Sequence, residues 1–454
     1  MSRAVHLDEI AYRPDSCDLF EQLRTLPGAA FLDSSYPHSG SGRFDILCAL
    51  PTARLAAPPA GASERECRQF FRSLEAFHRE HFAGIQPVSH DIPFCGGVLG
   101  SIPYDCGNGL HGVRHAGDDG DSMPGAGLGA YDWCVVQDHL LRRAALVAQP
   151  GVSAALRREL LALLAREQAP AREHFSLRSP FSANFTAAQY AATFARIQAY
   201  IAAGDCYQVN LAQRFSSTYE GDPWSAYRVL REIAAAPFSA YIAQEPGDAL
   251  ISLSPERFIS LHGQHVETCP IKGTRPRHAD PVLDRAAAQA LRDAAKDRAE
   301  NLMIVDLLRN DLGRSCVPGS IHVDRLFELH SYATVHHLVS TISGELRNDS
   351  SFAQLLENSF PGGSITGAPK RRAMQLIAEL EPHPRQSYCG SVLYISADGR
   401  LDSNIAIRTL LCRAGEIRCW AGGGIVADSR WELEYQETFD KVGRFLDALE
   451  AMGH

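Results

Sequence analysis

The chain has 454 residues, of which 45% are hydrophobic and 21% are charged, and its formal net charge at pH 7 is −9. This is the composition of an ordinary globular protein. The acidic balance disfavours nucleic acids and anionic membranes as partners, because both are bound through basic surfaces. An anionic small ligand would have to be bound by a few local cations, a metal ion or backbone amides.

Targeting and redox signals predict a cytoplasmic protein. No apolar run approaches the ~20 residues of a membrane span. The segment MSRAVHLDEIAYRPD carries charges where a signal peptide has its apolar core. The 12 cysteines form no CxxC pair and show no zinc-like spacing, so we expect reduced thiols.

The first half predicts mainly strands and loops. Short apolar runs between Gly, Pro and Asp, such as residues 96–104, are typical of strands. Helices are predicted near 63–80 and over about 152–167. A polar stretch with two prolines follows the second helix and suggests a soft boundary. We therefore predict an N-terminal subdomain over 1–180 and a second subdomain over 181–454, both parts of one intertwined fold.

The second half begins with a helix and a strand. Thr186 and Gln189 fit a capping box, and the apolar stripe that follows ends at Gly204. In the next segment, CYQVNLAQRF, apolar residues alternate with polar ones such as Gln208 and Asn210. This alternation predicts a strand with one apolar face and one amide-rich face.

Three further helices are predicted, over 284–309, about 369–380 and about 430–450. Strands and helices are mixed at uneven spacing. This favours an α+β or mixed α/β fold with large sheets over a regular βαβ repeat.

Two of these helices carry paired acids. Asp297 and Glu300 are three residues apart and share a helix face, as do Glu434 and Glu437. If the two pairs converge, their oxygens would suit Mg²⁺, which is held by few protein groups together with substrate oxygens. The alternative, a solvated helix surface, is the more common role of such pairs.

Two glycine-rich segments, 359–374 and 421–429, are ambiguous. In the first, Pro369 suits a first helical turn, and the preceding glycines would let backbone N–H groups face an anion beside Lys370. It is not a Walker A loop, because Gly367 is followed by Ala-Pro-Lys. A turn that connects helices explains both segments equally well.

Three residues are candidates for acid–base or nucleophilic chemistry. Lys272 follows a predicted strand, and partial desolvation there would favour a neutral, nucleophilic amine. Glu256 stands at the start of another strand, where burial would raise its pKa toward that of a general acid. A strand histidine such as His337 is more often structural than catalytic. By pattern alone, Lys272 is better interpreted as a solvated loop lysine, and no reaction follows.

Eight ordered motifs resemble the chorismate-utilising enzymes and cover about residues 186–445. The first half resembles the family's more variable part through FLDSSYPHSGSGRFDI and PFCGGVLGSIPYD. The eight motifs are GDCYQVNLAQRF, SPERF, PIKGTRPR, KDRAENLMIVDLLRNDLGR, VHHLVSTISG, FPGGSITGAPKRRAMQLIAELEP, YCGSVLYIS, and NIAIRTL followed by AGGGIVADSRWELEYQETFDK.

The resemblance implies an α+β, mixed α/β fold like that of anthranilate synthase component I, a sandwich of two large β-sheets with helices packed outside. It implies Mg²⁺ bound by Glu300 and Glu437, with Glu434 acting through water. Glu256 matches the general acid for a departing 4-hydroxyl, and His337 matches a histidine near the ring. The residues that match the pocket for the enolpyruvyl carboxylate of chorismate are Gly273, Thr274, Tyr394, Arg408, Gly424 and Lys441.

Two positions distinguish the branches of this family. Isochorismate and salicylate synthases carry a lysine where this sequence has Gln208, and anthranilate synthases read PIAGT where it reads PIKGT. Lys272 therefore resembles the nucleophile of the aminodeoxychorismate branch, where it would add to C2 so that ammonia enters at C4. The product would be a precursor of 4-aminobenzoate and folate.

The resemblance also implies a partner. No G-x-C-x-G elbow of a glutaminase occurs in the sequence, so we expect ammonia from a separate glutamine amidotransferase subunit. The alternatives are anthranilate synthase component I and a catalytically silent member that only binds a partner or an effector. Intact Glu256, Lys272, Glu300 and Glu437 disfavour the silent member.

The first half raises the question of an effector. Anthranilate synthases carry an LLES-type motif in a tryptophan pocket, and FLDSS at 31–35 departs from it. Inhibition by tryptophan is therefore not expected. A tryptophan held structurally near Ser34, Arg43 and Phe238 stays an open hypothesis.

Overall fold

The computed structural model describes residues 4–39, 42–86, 91–115, 127–166, 174–332 and 335–452. A short 3-10 turn covers Gly363–Ile365. The α-helices of the described residues are α1 (Cys17–Leu23), α2 (Glu64–Phe82), α3 (Tyr104–Leu110), α4 (Ala154–Leu164), α5 (Ala187–Ala202), α6 (Pro223–Ala234), α7 (Pro281–Asp293), α8 (Ala295–Gly313), α9 (Phe352–Ser359), α10 (Lys370–Leu380) and α11 (Trp431–Ala451).

The strands are short in the first half and longer in the second. They are β1 (His6–Ile10), β2 (Ala30–Asp33), β3 (Phe44–Cys48), β4 (Ala53–Ala56), β5 (Gly97–Ile102), β6 (Gly127–Tyr131), β7 (Trp133–Asp138), β8 (Arg143–Ala148), β9 (Phe175–Leu177), β10 (Ser182–Ala183), β11 (Gln208–Gly221), β12 (Phe238–Ala243), β13 (Ala249–Ser254), β14 (Arg257–His262), β15 (His265–Cys269), β16 (Ile271–Pro276), β17 (His322–Ser331), β18 (Val335–Glu345), β19 (Gly367–Ala368), β20 (Ser391–Ser396), β21 (Leu401–Asn404), β22 (Thr409–Arg413) and β23 (Glu416–Ile425).

These strands form two large sheets. The first has the order β1-β8-β7-β3-β2-β12-β13-β22-β23-β11-β10, and β9 and β19 also pair with β11. The second has the order β16-β18-β15-β14-β21-β20-β5-β6-β4, and β17 pairs with β18. Strands from before and after residue 180 pair directly in both sheets, β2 with β12 and β5 with β20. The two halves therefore share both sheets, and the boundary at residue 180 stays a prediction.

The sheets face each other across a buried apolar core. Val136 and Leu411 of the first sheet belong to the same cluster of buried side chains as Val98 and Leu393 of the second. A second cluster covers the opposite face of the first sheet, where α1, α4, α6 and α11 pack. The predicted sandwich of two large sheets with outer helices is confirmed.

The predicted start of the second half is also confirmed. The Thr186 hydroxyl accepts the N–H of Gln189, whose side chain bonds back to the Thr186 N–H, and α5 begins there. After α5 the chain turns through Gly204, where φ is +82°. It then enters β11, whose amide-rich face is buried as well as its apolar face.

The single helix predicted over 284–309 is wrong. α7 ends at Asp293 and α8 begins at Ala295, because Ala294 between them has a non-helical ψ of 98°. The alanine-rich sequence has neither Gly nor Pro at this point. Both helices pack against β16.

Neither a bilayer-spanning helix nor a disulfide occurs in the described part of the chain. No helix there is long and apolar enough to cross a membrane. The 12 cysteines are free thiols, and only Cys269 among them is not fully buried. The cysteines therefore serve mainly as small apolar groups of the core.

Candidate active site

The centre of the candidate site is the buried carboxyl of Glu256. This residue lies between β13 and β14, where the chain passes from the first sheet to the second, and only 4% of it is exposed. The Ser364 hydroxyl donates to its Oε1 at 2.6 Å. Burial raises the pKa of this carboxyl, while the nearby amine of Lys272 and the Ser364 bond oppose the rise. Such a carboxyl keeps its proton to higher pH than an exposed glutamate and suits general acid chemistry.

Lys272 lies within strand β16, so its interpretation as a solvated loop lysine is wrong. The strand has a β-bulge at Gly273, whose φ is +80°. The Lys272 Nζ donates to the backbone carbonyl of Ser364 at 2.8 Å. Lys272 and Glu256 are therefore bound to the same residue.

Ser364 is one of the site residues that were not identified from the sequence. It is 3% exposed and lies in the turn Gly363–Ile365, within the glycine-rich segment. Its hydroxyl binds a carboxyl and its carbonyl binds an amine. A serine in a glycine-rich turn is a weak signal, because its partners are set by packing between the two sheets.

Lys370 does not supply a free charge to the glycine-rich segment. Its buried Nζ donates to Asp311 Oδ2 at 2.6 Å and to the Ser359 carbonyl at 3.0 Å. These bonds join the start of α10 to the ends of α8 and α9. The structure therefore supports a connecting turn here and contradicts an anion site beside Lys370.

Carboxylates from α8 and α11 converge at the glycines of β23. A Cβ at Gly423 would lie 3.1 Å from Glu434 Oε2 and 3.3 Å from Glu437 Oε1. Lys296 Nζ lies 3.4 Å from Glu434 Oε1 and 3.9 Å from Glu300 Oε1. The geometry therefore agrees with the convergence of carboxylates from the two helices that their spacing suggested. Lys296, one helical turn before Glu300, was not identified from the sequence.

Lysines balance this acidic group. Burial raises the pKa of Glu300, while Lys272 and Lys296 oppose the rise. Burial would also raise the pKa of Glu437, but Lys441 above all lowers it below its ordinary range. The Lys441 Nζ lies 2.6 Å from Glu437 Oε1 and donates to a β23 carbonyl.

The carboxylates fit a hard cation only with help from a ligand. Across the described ranges, no group of three His, Cys, Asp or Glu residues is placed to hold a metal ion. Asp297 is not available, because it pairs with Arg275 at 3.0 Å. Glu434 and Glu437 nevertheless meet at Gly423, and Glu300 lies near Glu434 because both approach Lys296. Mg²⁺ uses few protein oxygens together with water or substrate oxygens, and this donor set fits that pattern.

A second charged centre lies at Arg408, between β21 and β22. No carboxylate in the described residues pairs with its guanidinium, and burial lowers its pKa to about 10. Burial, together with this guanidinium, lowers the pKa of the 2%-exposed His337 to about 3. The Thr274 hydroxyl and His337 Nδ1 are hydrogen-bonded at 2.9 Å. An unpaired guanidinium beside a neutral imidazole is suited to binding a carboxylate.

Unpartnered amides lie where β11 meets β23. Gln208 is completely buried, and neither polar atom of its side chain has a hydrogen-bond partner in the described structure. A Cβ at Gly424 would collide with Nε2 of Gln208. Asn210, the register partner of Gly424, also has an unpartnered Oδ1. Buried polar atoms need partners, so this corner requires a polar ligand or water.

Tyr394 is not joined to this group by any contact in the described residues. Its ring packs edge-on against Phe94 at a centroid distance of 5.4 Å. Burial raises the pKa of its hydroxyl, and the nearest charges are those of Asp402 and Arg257. Its part in binding a substrate carboxylate stays a prediction.

The residues of the hypothetical tryptophan pocket lie at one end of the adjacent strands β12, β2 and β3. The Ser34 hydroxyl donates to Asp45 Oδ1 at 2.7 Å. Arg43 donates to Asp138 Oδ2 at 2.9 Å. Phe238 begins β12 beside them. Their polar groups already have protein partners, and tryptophan binding stays a prediction.

The arrangement suits a substitution on a small anionic molecule. The Lys272 amine and the Glu256 carboxyl are hydrogen-bonded to one turn. The site also contains an unpaired guanidinium and carboxylates that could bind a cation. These groups fit the attack of a nucleophile with loss of a protonated hydroxyl.

Comparisons with known proteins agree on a family. A family model described as chorismate binding enzyme matches residues 35–447. Aminodeoxychorismate synthase component 1 of Klebsiella aerogenes is 45% identical over 449 residues, which cover 97% of this chain and 98% of that protein. Anthranilate synthase component 1 of Streptomyces coelicolor is 37% identical over 389 residues, covering 82% and 76%.

Comparison with a solved structure supports the same family. The fold is similar to that of anthranilate synthase component I from Streptococcus pneumoniae TIGR4, with a TM-score of 0.77 and 28% identity. The match covers 89% of this chain and 92% of that chain.

Proposed function

The chain belongs to the chorismate-binding enzymes, and from this premise we propose that it aminates chorismate at C4, forming 4-amino-4-deoxychorismate. The observation that carries the proposal is the placement of Lys272 and Glu256 on Ser364. Relatives named aminodeoxychorismate synthase component 1 support it, because they match this chain at 43–45% identity over nearly its whole length.

Chorismate carries two carboxylates, and both must be bound by a protein whose own net charge is negative. Arg408, with Lys441 and the amide of Gly424, would bind the enolpyruvyl carboxylate. The ring carboxylate would lie near Glu300 and Glu437. Mg²⁺ bound there, with Glu434 acting through water, would neutralise part of the charge on this carboxylate.

The first chemical step uses Lys272 and Glu256. The neutral amine of Lys272 forms a bond to C2 of the ring, both ring double bonds shift by one position toward C4, and the C4–O bond breaks. Glu256 gives its proton to the departing hydroxyl, which leaves as water. The new ammonium then loses a proton and leaves a secondary amine on C2.

The second step explains the position of amination. Ammonia forms a bond to C4, both double bonds shift back, and the C2–N bond breaks as the lysine nitrogen takes up the proton that the new C4 ammonium loses. Because Lys272 occupies C2, ammonia can enter only at C4. Gln208 carries an uncharged amide that cannot activate water as a lysine base would, which disfavours hydroxylation.

A separate glutamine amidotransferase subunit would supply the ammonia. The relatives' designation as component 1 supports a partner component. A reducing, cytoplasmic location is supported by the 12 free thiols. The product would lead to 4-aminobenzoate, and thus to folate, through a further enzyme.

The test is one reaction of the purified chain with chorismate, Mg²⁺ and ammonium. The product is identified by mass, and by fluorescence after addition of an aminodeoxychorismate lyase. Formation of 4-aminobenzoate supports the proposal. Anthranilate would instead assign the chain to the anthranilate synthases, as the 37% identity to one of them allows, and unchanged chorismate would indicate a silent member.

A further inference from the structure

A fully buried arginine binds both sides of the candidate site. Arg385 follows α10 and is 1% exposed. Its guanidinium donates to the Ile365 carbonyl at 2.9 Å and to the Asn210 carbonyl at 2.7 Å. Ile365 follows Ser364 in the turn, and Asn210 lies in β11 two residues after Gln208. One side chain therefore joins the turn to the strand.

The charge of this arginine is balanced within the protein. Two nitrogens of Arg385 bind the Glu381 carboxylate at 2.6 and 2.9 Å. The guanidinium also lies 4.9 Å from the ring centre of Tyr104 and 5.8 Å from that of Tyr388. Glu381 accepts in addition the N–H of Ala212 in β11. Each guanidinium nitrogen of Arg385 donates to a protein oxygen, two of them to backbone carbonyls, so its role is to hold backbone.

The backbone that it holds carries the chemistry. The turn Gly363–Ile365 presents the Ser364 hydroxyl to Glu256 and the Ser364 carbonyl to Lys272. The turn is also tied to β11 by the Asn210 N–H, which donates to the Thr366 carbonyl at 2.9 Å. A shift of the turn relative to β11 would move the acid and the nucleophile together.

We propose that Arg385, neutralised by Glu381, is a positioning residue that fixes the Ser364 turn and so sets the geometry of Lys272 and Glu256. This inference rests on the proposed amination for its kinetic consequences. Its structural part, the link from Arg385 to the Lys272 amine, does not depend on the reaction.

The central variant is Arg385→Lys. A lysine can keep the ion pair with Glu381, which protects the fold from an unpaired buried charge. It cannot also reach the carbonyls of Ile365 and Asn210, because it lacks the planar fork of donors. If this variant fails to fold, the double variant Arg385→Gln, Glu381→Gln removes both charges. Arg231→Lys is the matched control, because Arg231 is equally buried and pairs with Asp33 in the first half of the chain.

Kinetics are measured with chorismate, Mg²⁺ and ammonium over a range of pH. We expect Arg385→Lys to lower kcat about 100-fold and to change KM less than about threefold. The Ser364 bond lowers the pKa of Glu256, as do the charges of Lys272 and Lys441. Weakening that bond should therefore move the alkaline limb of the rate profile to higher pH.

Ser364→Ala tests the route of the effect. This variant removes the hydroxyl that binds Glu256, and by itself it should move the alkaline limb of the rate profile to higher pH. If Arg385 acts through Ser364, Arg385→Lys should cause no further shift of the limb in the Ser364→Ala background. Equal, additive shifts in the two backgrounds would contradict the proposal.

A labelling experiment separates this inference from the proposed function. The rate at which acetic anhydride modifies Lys272 is measured by mass spectrometry on the full chain without substrate. Loss of the bond to the Ser364 carbonyl should make Lys272 react severalfold faster in Arg385→Lys and leave it unchanged in Arg231→Lys. The inference would be overturned if Arg385→Lys neither moved the alkaline limb of the rate profile nor changed the labelling rate of Lys272. A fall in activity that merely follows a smaller folded fraction would not rescue it. A wild-type chain that aminates nothing would refute the proposed function, and the labelling would still decide the role of Arg385.

Discussion

Glu256 and Lys272 lie on opposite sides of a single serine, with the carboxyl 2.6 Å from the Ser364 hydroxyl and the amine 2.8 Å from the Ser364 carbonyl. A group that can give a proton and a group that can attack carbon are thereby held at a fixed separation. The nearby Lys272 amine also opposes the rise in the pKa that burial causes in the carboxyl.

The proposed mechanism predicts that Lys272 determines where ammonia enters. We expect Lys272→Ala to lose amination at C4, because C2 is no longer occupied, and some product substituted at C2 to appear. Lys272→Arg is the matched control, since it keeps a positive charge but offers no neutral amine. Product is identified by mass and by conversion to 4-aminobenzoate. Undiminished formation of 4-amino-4-deoxychorismate by Lys272→Ala would refute this role.

The proposed mechanism predicts that Glu256 is the proton donor. We expect Glu256→Gln to lower kcat by about 10²- to 10⁴-fold, which is the usual contribution of a general acid. Because the carboxyl must be protonated to act, the rate of the unchanged enzyme should fall as pH rises through its raised pKa. The variant should lack this limb of the profile. If the limb persists in Glu256→Gln, another group is the acid.

The proposed function predicts that activity depends on Mg²⁺ bound by Glu300 and Glu437. We expect Glu437→Ala to raise the Mg²⁺ concentration for half-maximal rate by at least about tenfold. Glu432→Ala is the control, because Glu432 is exposed on the same helix. Calorimetric titration of Mg²⁺ gives a reading independent of turnover. Full activity of Glu437→Ala in excess EDTA would exclude this site.

The proposed function predicts that Arg408 binds a substrate carboxylate. We expect Arg408→Lys to raise KM for chorismate about tenfold or more, because lysine keeps the charge but loses two-pronged donation. The exposed pair of Arg178 and Glu220 provides the control variant Arg178→Lys. Equal KM values for Arg408→Lys and the unchanged chain would show that the carboxylate binds elsewhere.

His337 makes stability depend on pH. Its pKa of about 3 in the folded chain lies below the ~6.5 of an unfolded histidine. As the pH falls below ~6.5, His337 therefore becomes protonated in the unfolded chain while it stays neutral in the folded chain. The stabilisation is complete above pH ~6.5 and is lost as the pH falls toward 3, at up to about 1.4 kcal/mol per pH unit.

The check is the unfolding temperature between pH 8 and pH 5. His337→Asn should start lower at pH 8 but decline less steeply than the unchanged chain. His322→Asn, at an exposed position of β17, controls for the removal of a histidine. Parallel declines for His337→Asn and the unchanged chain would contradict the prediction.

Local features of the fold were predictable where the signal is local. The capping box at Thr186 and the strand at Gln208 depend on neighbouring residues, and both were found from the sequence. The break at Ala294 was not found, because the alanine-rich sequence there contains neither Gly nor Pro. The strand that contains Lys272 and the bulge at Gly273 were also missed.

The sequence by itself determined the family, the two-sheet fold and the identity of the candidate groups, because ordered motifs carry the types of side chain that a chemistry needs. It named Lys272, Glu256, Glu300, Glu437 and Arg408 as members of one site. Only the tertiary structure decided how they are held. Ser364 lies 108 positions from Glu256 and 92 from Lys272, and the Arg385 guanidinium reaches a strand 175 positions away. Such contacts depend on how the sheets pack around the crossing at Glu256, and no local pattern of residues specifies them.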